Sequence, residues 1–161
     1  TLYLRNFPSV LQRVDTSRKL LEGGPPLEAS WILGAGLFHS FVRSGDGKIR
    51  LAPWLSLAPG HPLLDVALFC RKAISRHGVQ GLVPFLGGYE SLLPLSPSAL
   101  LALLAYLVFP HDVYRWAKGW RSGERGKEGE LGSLLRQDRP FRKSYTWLAK
   151  EVERRQRESL S

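Results

Sequence analysis

Methionine is missing from these 161 residues, and cysteine occurs once, at Cys70. A lone thiol excludes a disulfide framework and any zinc site built from several cysteines. With no methionine and Thr1 in first place, the expectation is that an initiator has been removed or that the chain is a piece of something longer. Long apolar runs are missing too. The longest, Ala99 to Phe109, is too short to span a bilayer, and no signal-peptide pattern opens the chain. Acidic residues are few: 14 Asp and Glu stand against 23 Lys and Arg, for a net charge of +9. Such a balance favours anionic partners such as nucleic acid, acidic proteins or a lipid surface. The basic residues are scattered, however, with no run of the kind that marks a nucleic-acid tail, and a solvated basic surface is the plainer reading.

The usual catalytic constellations are also missing. Gly34-Ala35-Gly36 is a small-residue turn with no Gly-x-Gly-x-x-Gly or Walker phosphate loop around it. His39, His61, His77 and His111 have no pairwise spacing that sets two imidazoles on one helical face as metal ligands. His61, just before a proline, leads into a helix, and His77 is placed to cap the negative end of one. Cys70 sits inside an apolar helix with nothing electropositive to generate a thiolate, so it reads as a core thiol.

What is present makes an ordinary globular core, with 43% apolar and 23% charged residues. Ser9 to Glu22 reads as a helix with Pro8 near its start, ended by Gly23-Gly24-Pro25-Pro26. Leu37 to Arg43 and Lys48 to Trp54 flank Ser44-Gly45-Asp46-Gly47, a hairpin signal, and Pro53 ends the second strand or holds it at an edge. Beyond His61 the pattern is helical. Leu63 to Arg76 runs to a stop at His77-Gly78, and Leu82 to Leu92 is interrupted by Pro84 and Gly87-Gly88. Ser96 caps and Pro97 opens a helix to Val108, and His111 to Trp120 follows. Arg121 to Gly132 reads as a flexible loop, and Phe141 to Leu160 as an amphipathic helix. The expected fold class is α+β and predominantly α-helical, a small β-hairpin region followed by a helical bundle. It forms one domain over 1–161: a leading helix and linker (1–30), the hairpin region (31–60), a helical core (61–120), a flexible loop (121–138) and a terminal helix (139–161).

The informative motifs lie between Trp31 and Lys72. They are Leu33-Gly34-Ala35-Gly36-Leu37-Phe38-His39-Ser40, Gly45-Asp46-Gly47-Lys48-Ile49, Ala52-Pro53-Trp54 and Gly60-His61-Pro62-Leu63-Leu64-Asp65-Val66-Ala67. This layout resembles the C-lobe of the aminoglycoside and choline phosphotransferase superfamily, which is protein-kinase-like. That family reads His-Gly-Asp, four residues, Asn, a short strand pair, Ile-Asp-Phe or Ile-Asp-Trp, and a Leu-Asp-Leu-Ala helix. Phe69-Cys70-Arg71-Lys72, Leu95-Ser96-Pro97 and Phe109-Pro110-His111-Asp112-Val113-Tyr114-Arg115 resemble the bacterial spore-coat protein S branch. The likeness runs from Trp31 to Trp120, with looser agreement in the final helix. The Leu- and Arg-rich composition fits a GC-rich bacterial source.

The departures from that pattern bear on function. In a working member the Asp of His-Gly-Asp is the catalytic base. Its match here is Ala35, and the match of the preceding His is Leu33. Ser40 stands for the Asn that helps hold Mg²⁺, and Pro53 for the main Mg²⁺-binding Asp, so nothing offsets the charge of a nucleotide or its metal. Gly34 is kept, and Asp65 survives among the characteristic acids; in the family that aspartate braces the catalytic loop. The glycine-rich strand and nucleotide-binding lysine of the N-lobe have no counterpart in the chain. The resemblance therefore implies a pseudokinase, an inactive kinase-like domain with no cofactor, no metal and no small-molecule substrate. It would be a structural or protein-interaction component, made in the cytoplasm and deposited on the spore coat during sporulation. With no N-lobe over it, the surface near Leu37, Phe38 and Trp54 is expected to meet a protein partner or a second copy.

Two alternatives belong to other classes. The chain is one piece of a small-molecule phosphotransferase whose remaining residues lie on another segment or chain, with Asp46, Asp65 and Asp112 as the acids to nominate. Or it is a basic module for nucleic acid or another polyanion, using Tyr114, Trp116 and Trp120 with Arg115, Lys118 and Arg121. Against the second stands the i, i+3, i+7 stripe of Val113, Trp116 and Trp120, a spacing expected of core residues.

Overall fold

A computed structural model describes residues 2–22, 30–33, 41–51, 57–122, 128–136 and 139–159. In chain order these form α1 (Leu2–Glu22), β1 (Ser30–Ile32), β2 (Phe41–Arg43), β3 (Ile49–Leu51), β4 (Ala58–Gly60), α2 (Leu63–His77), α3 (Val79–Glu90), α4 (Pro97–Val108), α5 (His111–Arg121), α6 (Glu128–Arg136) and α7 (Arg139–Glu158). The strands make two antiparallel two-stranded ribbons, β1 with β4 and β2 with β3. The fold is thus α+β and rich in helix.

Helix α4 is apolar on every side, and a helix of that kind is stable only when surrounded. It packs against α1, α2 and α7, and Leu100, Leu103 and Leu107 are fully buried with Ile74, Leu82 and Leu148. Its start is set locally: Ser96 Oγ accepts the Ala99 N–H at 3.1 Å and Pro97 takes the first helical position. Helix α1 docks through polar bonds to the other end of α4. Ser17 Oγ donates to the Ala105 carbonyl at 2.8 Å, and Arg13 Nε donates to the Val108 carbonyl at 2.9 Å. A guanidinium at the negative end of a helix is electrostatically well placed. At the far side Arg155 of α7 grips Glu90 of α3, with Nη2 to Oε2 at 2.9 Å, and donates from Nε to Glu151 at 2.7 Å. The neighbouring Arg154 and Arg155 guanidiniums hold the Glu151 carboxyl down at about 2.

Several elements differ from their sequence expectation. Helix α1 begins at Leu2 and carries Pro8 inside it. A proline there forfeits its own backbone bond, while Arg13, Ser17 and Leu20 anchor the rest of the helix to the bundle. Helix α3 opens at Val79 and continues through Pro84 and Gly87-Gly88. Its stripe of Leu82, Phe85, Leu86 and Tyr89 reaches the core, and that burial outweighs the weak local propensity. Helix α6 lies inside the stretch 121–138 expected to be a flexible loop: Leu131 is buried, and the helix packs on α5 and α1. The β1–β4 ribbon is an addition to the sequence reading, which places strands only at Leu37 to Arg43 and Lys48 to Trp54. Its Pro59 lacks a donor, but a two-strand ribbon has outer edges where none is required.

Candidate functional site

The two ribbons and the start of α2 together form the region that the motifs single out. In the first ribbon Ser30 faces Gly60, Trp31 faces Pro59 and Ile32 faces Ala58. A Cβ at Gly60 would lie 2.5 Å from Ile32 Cδ1, so the Ile32 side chain occupies the space beside the glycine. From β4 the chain turns into α2 through His61-Pro62. His61 Nδ1 accepts the Leu63 N–H at 3.2 Å and its carbonyl accepts the Leu64 N–H at 2.9 Å. Burial holds the His61 imidazole below its ordinary pKa, consistent with a neutral ring acting as an acceptor. This local turn puts Asp65 in the first turn of α2, where a negative charge suits the helix dipole. There Asp65 Oδ2 accepts the backbone N–H of Leu33, the residue following β1, at 2.7 Å. Non-local ribbon pairing and a local helix start thus meet in one bond.

Of the residues named from sequence, the structure brings Leu33 and Asp65 together. Gly34, Ala35, Leu37, Phe38, Ser40, Pro53 and Trp54 lie outside the described residues. The Leu33 side chain has no polar atom, so it can neither donate, accept nor bind a cation.

The second ribbon pairs Phe41 with Leu51, Val42 with Arg50 and Arg43 with Ile49. Its loop is closed by the Gly47 N–H on the Ser44 carbonyl and the Ser44 N–H on the Lys48 carbonyl, both at 2.9 Å. Gly47 sits at φ +80°, the left-handed position such a three-residue loop requires. Asp46 is spent on the same turn. It accepts the Ser44 hydroxyl, the Lys48 N–H at 3.2 Å and Arg50 Nη2 at 3.1 Å, and these bonds, the hydroxyl foremost, lower its pKa. Asp112 is paired with Arg71, whose guanidinium also lies 5.1 Å from the Phe141 ring centre. The acids nominated for a phosphotransferase are therefore each engaged in the scaffold. Among the described residues no three His, Cys, Asp or Glu side chains come together as a metal site.

Three other sequence expectations have a structural outcome. Cys70 is fully buried, and burial pushes its thiol up to about 12. His111 is held below its ordinary pKa by burial and by Arg71, with Nε2 3.1 Å from the Tyr106 carbonyl oxygen. The expected core stripe on α5 is only partly core: Val113 is buried, but Trp120, in the last turn, is 65% exposed and stacks on Trp116. Lys118 projects from the side of α5 opposite Trp120, since two residues turn a helix by more than half a circle. The stacking aromatic and that cation therefore do not share a face. No single helix among the described residues is long and apolar enough to cross a membrane.

A strand ribbon closed by an aspartate from the following helix, a tight hairpin and then a helical bundle define the helix-rich architecture of a kinase-like C-lobe. The chain is similar to the solved structure of an aminoglycoside phosphotransferase from Alicyclobacillus acidocaldarius subsp. acidocaldarius DSM 446, with a TM-score of 0.78 at 18% identity. The match covers 95% of this chain and 50% of that one, so the chain spans half the length of the phosphotransferase. A likeness at this identity establishes the fold. No protein-family model and no curated protein matches the sequence.

Proposed function

We propose that this chain is a bacterial pseudokinase, a kinase-like domain that keeps the scaffold, has lost phosphoryl transfer and works as a structural or protein-interaction component. The observation that carries this reading is the 2.7 Å hydrogen bond from the Leu33 backbone to Asp65. It holds the backbone at the position where the family resemblance expects a histidine, and the side chain there is leucine. Ala35 and Pro53 supply no carboxylate at the two other matched positions, so neither side chain can accept a proton from a hydroxyl or hold Mg²⁺. The spore-coat resemblance suggests the setting, a coat component made in the cytoplasm with a protein partner or second copy near Leu37, Phe38 and Trp54. Nucleotide, metal and nucleic acid are not ligands on this reading.

Calorimetry and thermal shift with ATP and Mg²⁺, run beside an Ala35→Asp/Pro53→Asp variant, test it. A ligand at a hundred times its Kd adds about 2.7 kcal/mol to stability. The expected result is no heat and no shift for the native chain. A Mg²⁺-dependent shift of the native chain would sink the proposal. One observation favours a second reading: the similar phosphotransferase structure is twice as long as the matched region. This chain is then one segment of a small-molecule phosphotransferase, and the titration turns positive when the complementing segment is added.

A further inference from the structure

The β2–β3 hairpin is the least covered part of the described chain. From Phe41 to Arg50 every residue is exposed except the half-buried Ser44. Ile49 is 73% exposed and Val42 45%. A two-stranded ribbon is marginal in water unless a third strand or a packed face supports it. Here the packing is at one end, where the Phe41 ring lies 5.6 Å from Phe69 on α2.

The backbone of the ribbon offers more. The Ser44 N–H bonds to the Lys48 carbonyl, and in an antiparallel ladder bonded and non-bonded pairs alternate. The next pair, Arg43 and Ile49, therefore turns its N–H and C=O groups to the outer edges. Among the described residues neither strand has a second strand neighbour. Side chains alternate as well, so Ile49 projects to one face of β3 while Lys48 and Arg50 project to the other. Across 41–51 the three cations Arg43, Lys48 and Arg50 outnumber the single acid Asp46. Asp46 pairs with Arg50 at 3.1 Å and lies 4.0 Å from Lys48, but one carboxylate shared between two exposed cations leaves both able to meet further acids, and Arg43 makes no ion pair among the described residues.

We infer that the outer edge of β3 accepts an added strand from another protein, an extended segment in which acidic and apolar residues alternate. Its apolar residue sits beside Ile49, and its acids flank that residue opposite Lys48 and Arg50. A second copy of the chain does not fit this edge. Antiparallel pairing of β3 with itself around Ile49 sets Lys48 against Arg50 twice, and like charges directly opposite are destabilising. The inference rests on the reading of the chain as a binding domain.

Fluorescence anisotropy with a labelled peptide of alternating glutamate and valine tests it, against a lysine–valine counterpart and polyglutamate. The glutamate–valine peptide is expected to bind about tenfold or more tighter than either control, with a similar loss in an Ile49→Asp variant. The native protein supplies a second readout that does not depend on the variant's folding. Only every second peptide N–H faces β3, so N-methylation of one alternate set abolishes binding and methylation of the other set leaves it. Equal binding of the three probes, no binding, or identical effects of the two methylated sets overturns the inference. A failed peptide titration with a silent ATP titration removes this edge and leaves the inactive-domain reading. An ATP-positive chain that still binds the peptide does the reverse.

Discussion

Replacing each of the three glycines of α3 with alanine should change stability with opposite signs along one helix. A Cβ at Gly81 would meet the Ala73 carbonyl oxygen at 2.7 Å, His77 Cβ at 2.9 Å and the Ala73 carbonyl carbon at 3.1 Å. None of these atoms ends a flexible side chain, so α3 must back away from α2 by several tenths of an ångström. Overpacking of this kind costs about 1–3 kcal/mol, whereas alanine in a helix interior returns about 0.5–1 kcal/mol relative to glycine. The clash wins. Gly81→Ala is expected to destabilise the fold by about 1–2 kcal/mol, a fall in Tm of about 2–8 °C for a chain of this size. At Gly87 and Gly88 an added Cβ has nothing within 4 Å. Propensity then acts alone, and each alanine should stabilise by about 0.5–1 kcal/mol. Urea unfolding followed by tryptophan fluorescence reads all three as midpoint shifts at unchanged slope. If Gly81→Ala moved the midpoint upward with the other two, the close α2–α3 approach would be wrong.

Other consequences follow from the brace and from the α3–α7 clasp. Asp65→Ala removes a charged acceptor from a half-buried N–H and should cost about 1.5–3 kcal/mol, with Asp65→Asn recovering part of it. Hydrogen exchange at the Leu33 amide should accelerate in Asp65→Ala, and unchanged protection there would dismiss the bond. Glu151 titrates at about 2 in the fold against an ordinary 4.5, so between those values the unfolded chain binds the extra proton. Its stabilising contribution is complete above pH 4.5 and is lost as the pH falls toward 2. Urea midpoints across that window should fall less steeply in Glu151→Gln than in the native chain.

Where a signal was local, the residues announced the structure. Ser96-Pro97 ahead of an unbroken apolar run specified α4, because the cap and the proline act within one turn. Asp46-Gly47 specified the hairpin, because the left-handed position at its end suits glycine. Asp65 was legible as a residue through its motif. Its partner was legible only as a family expectation, and the amide it binds belongs to a leucine that no spacing rule selects.

Tertiary structure decided what local signals misread. Pro84 and Gly87-Gly88 argue against a helix, yet α3 forms because Leu82 and Leu86 are buried against the bundle. Glycine and charge argued for a loop around Leu131, and packing on α5 and α1 made α6. Trp120 carries a core spacing but remains exposed at the end of α5. The β1–β4 ribbon joins Ser30–Ile32 to Ala58–Gly60 across a long stretch of chain. Composition, capping and turn chemistry act within a few residues and so are written in the order of the sequence. Strand pairing, helix burial and the bond that ties Asp65 to Leu33 gain their free energy between residues far apart in that order, and the assembled fold alone brings them into contact.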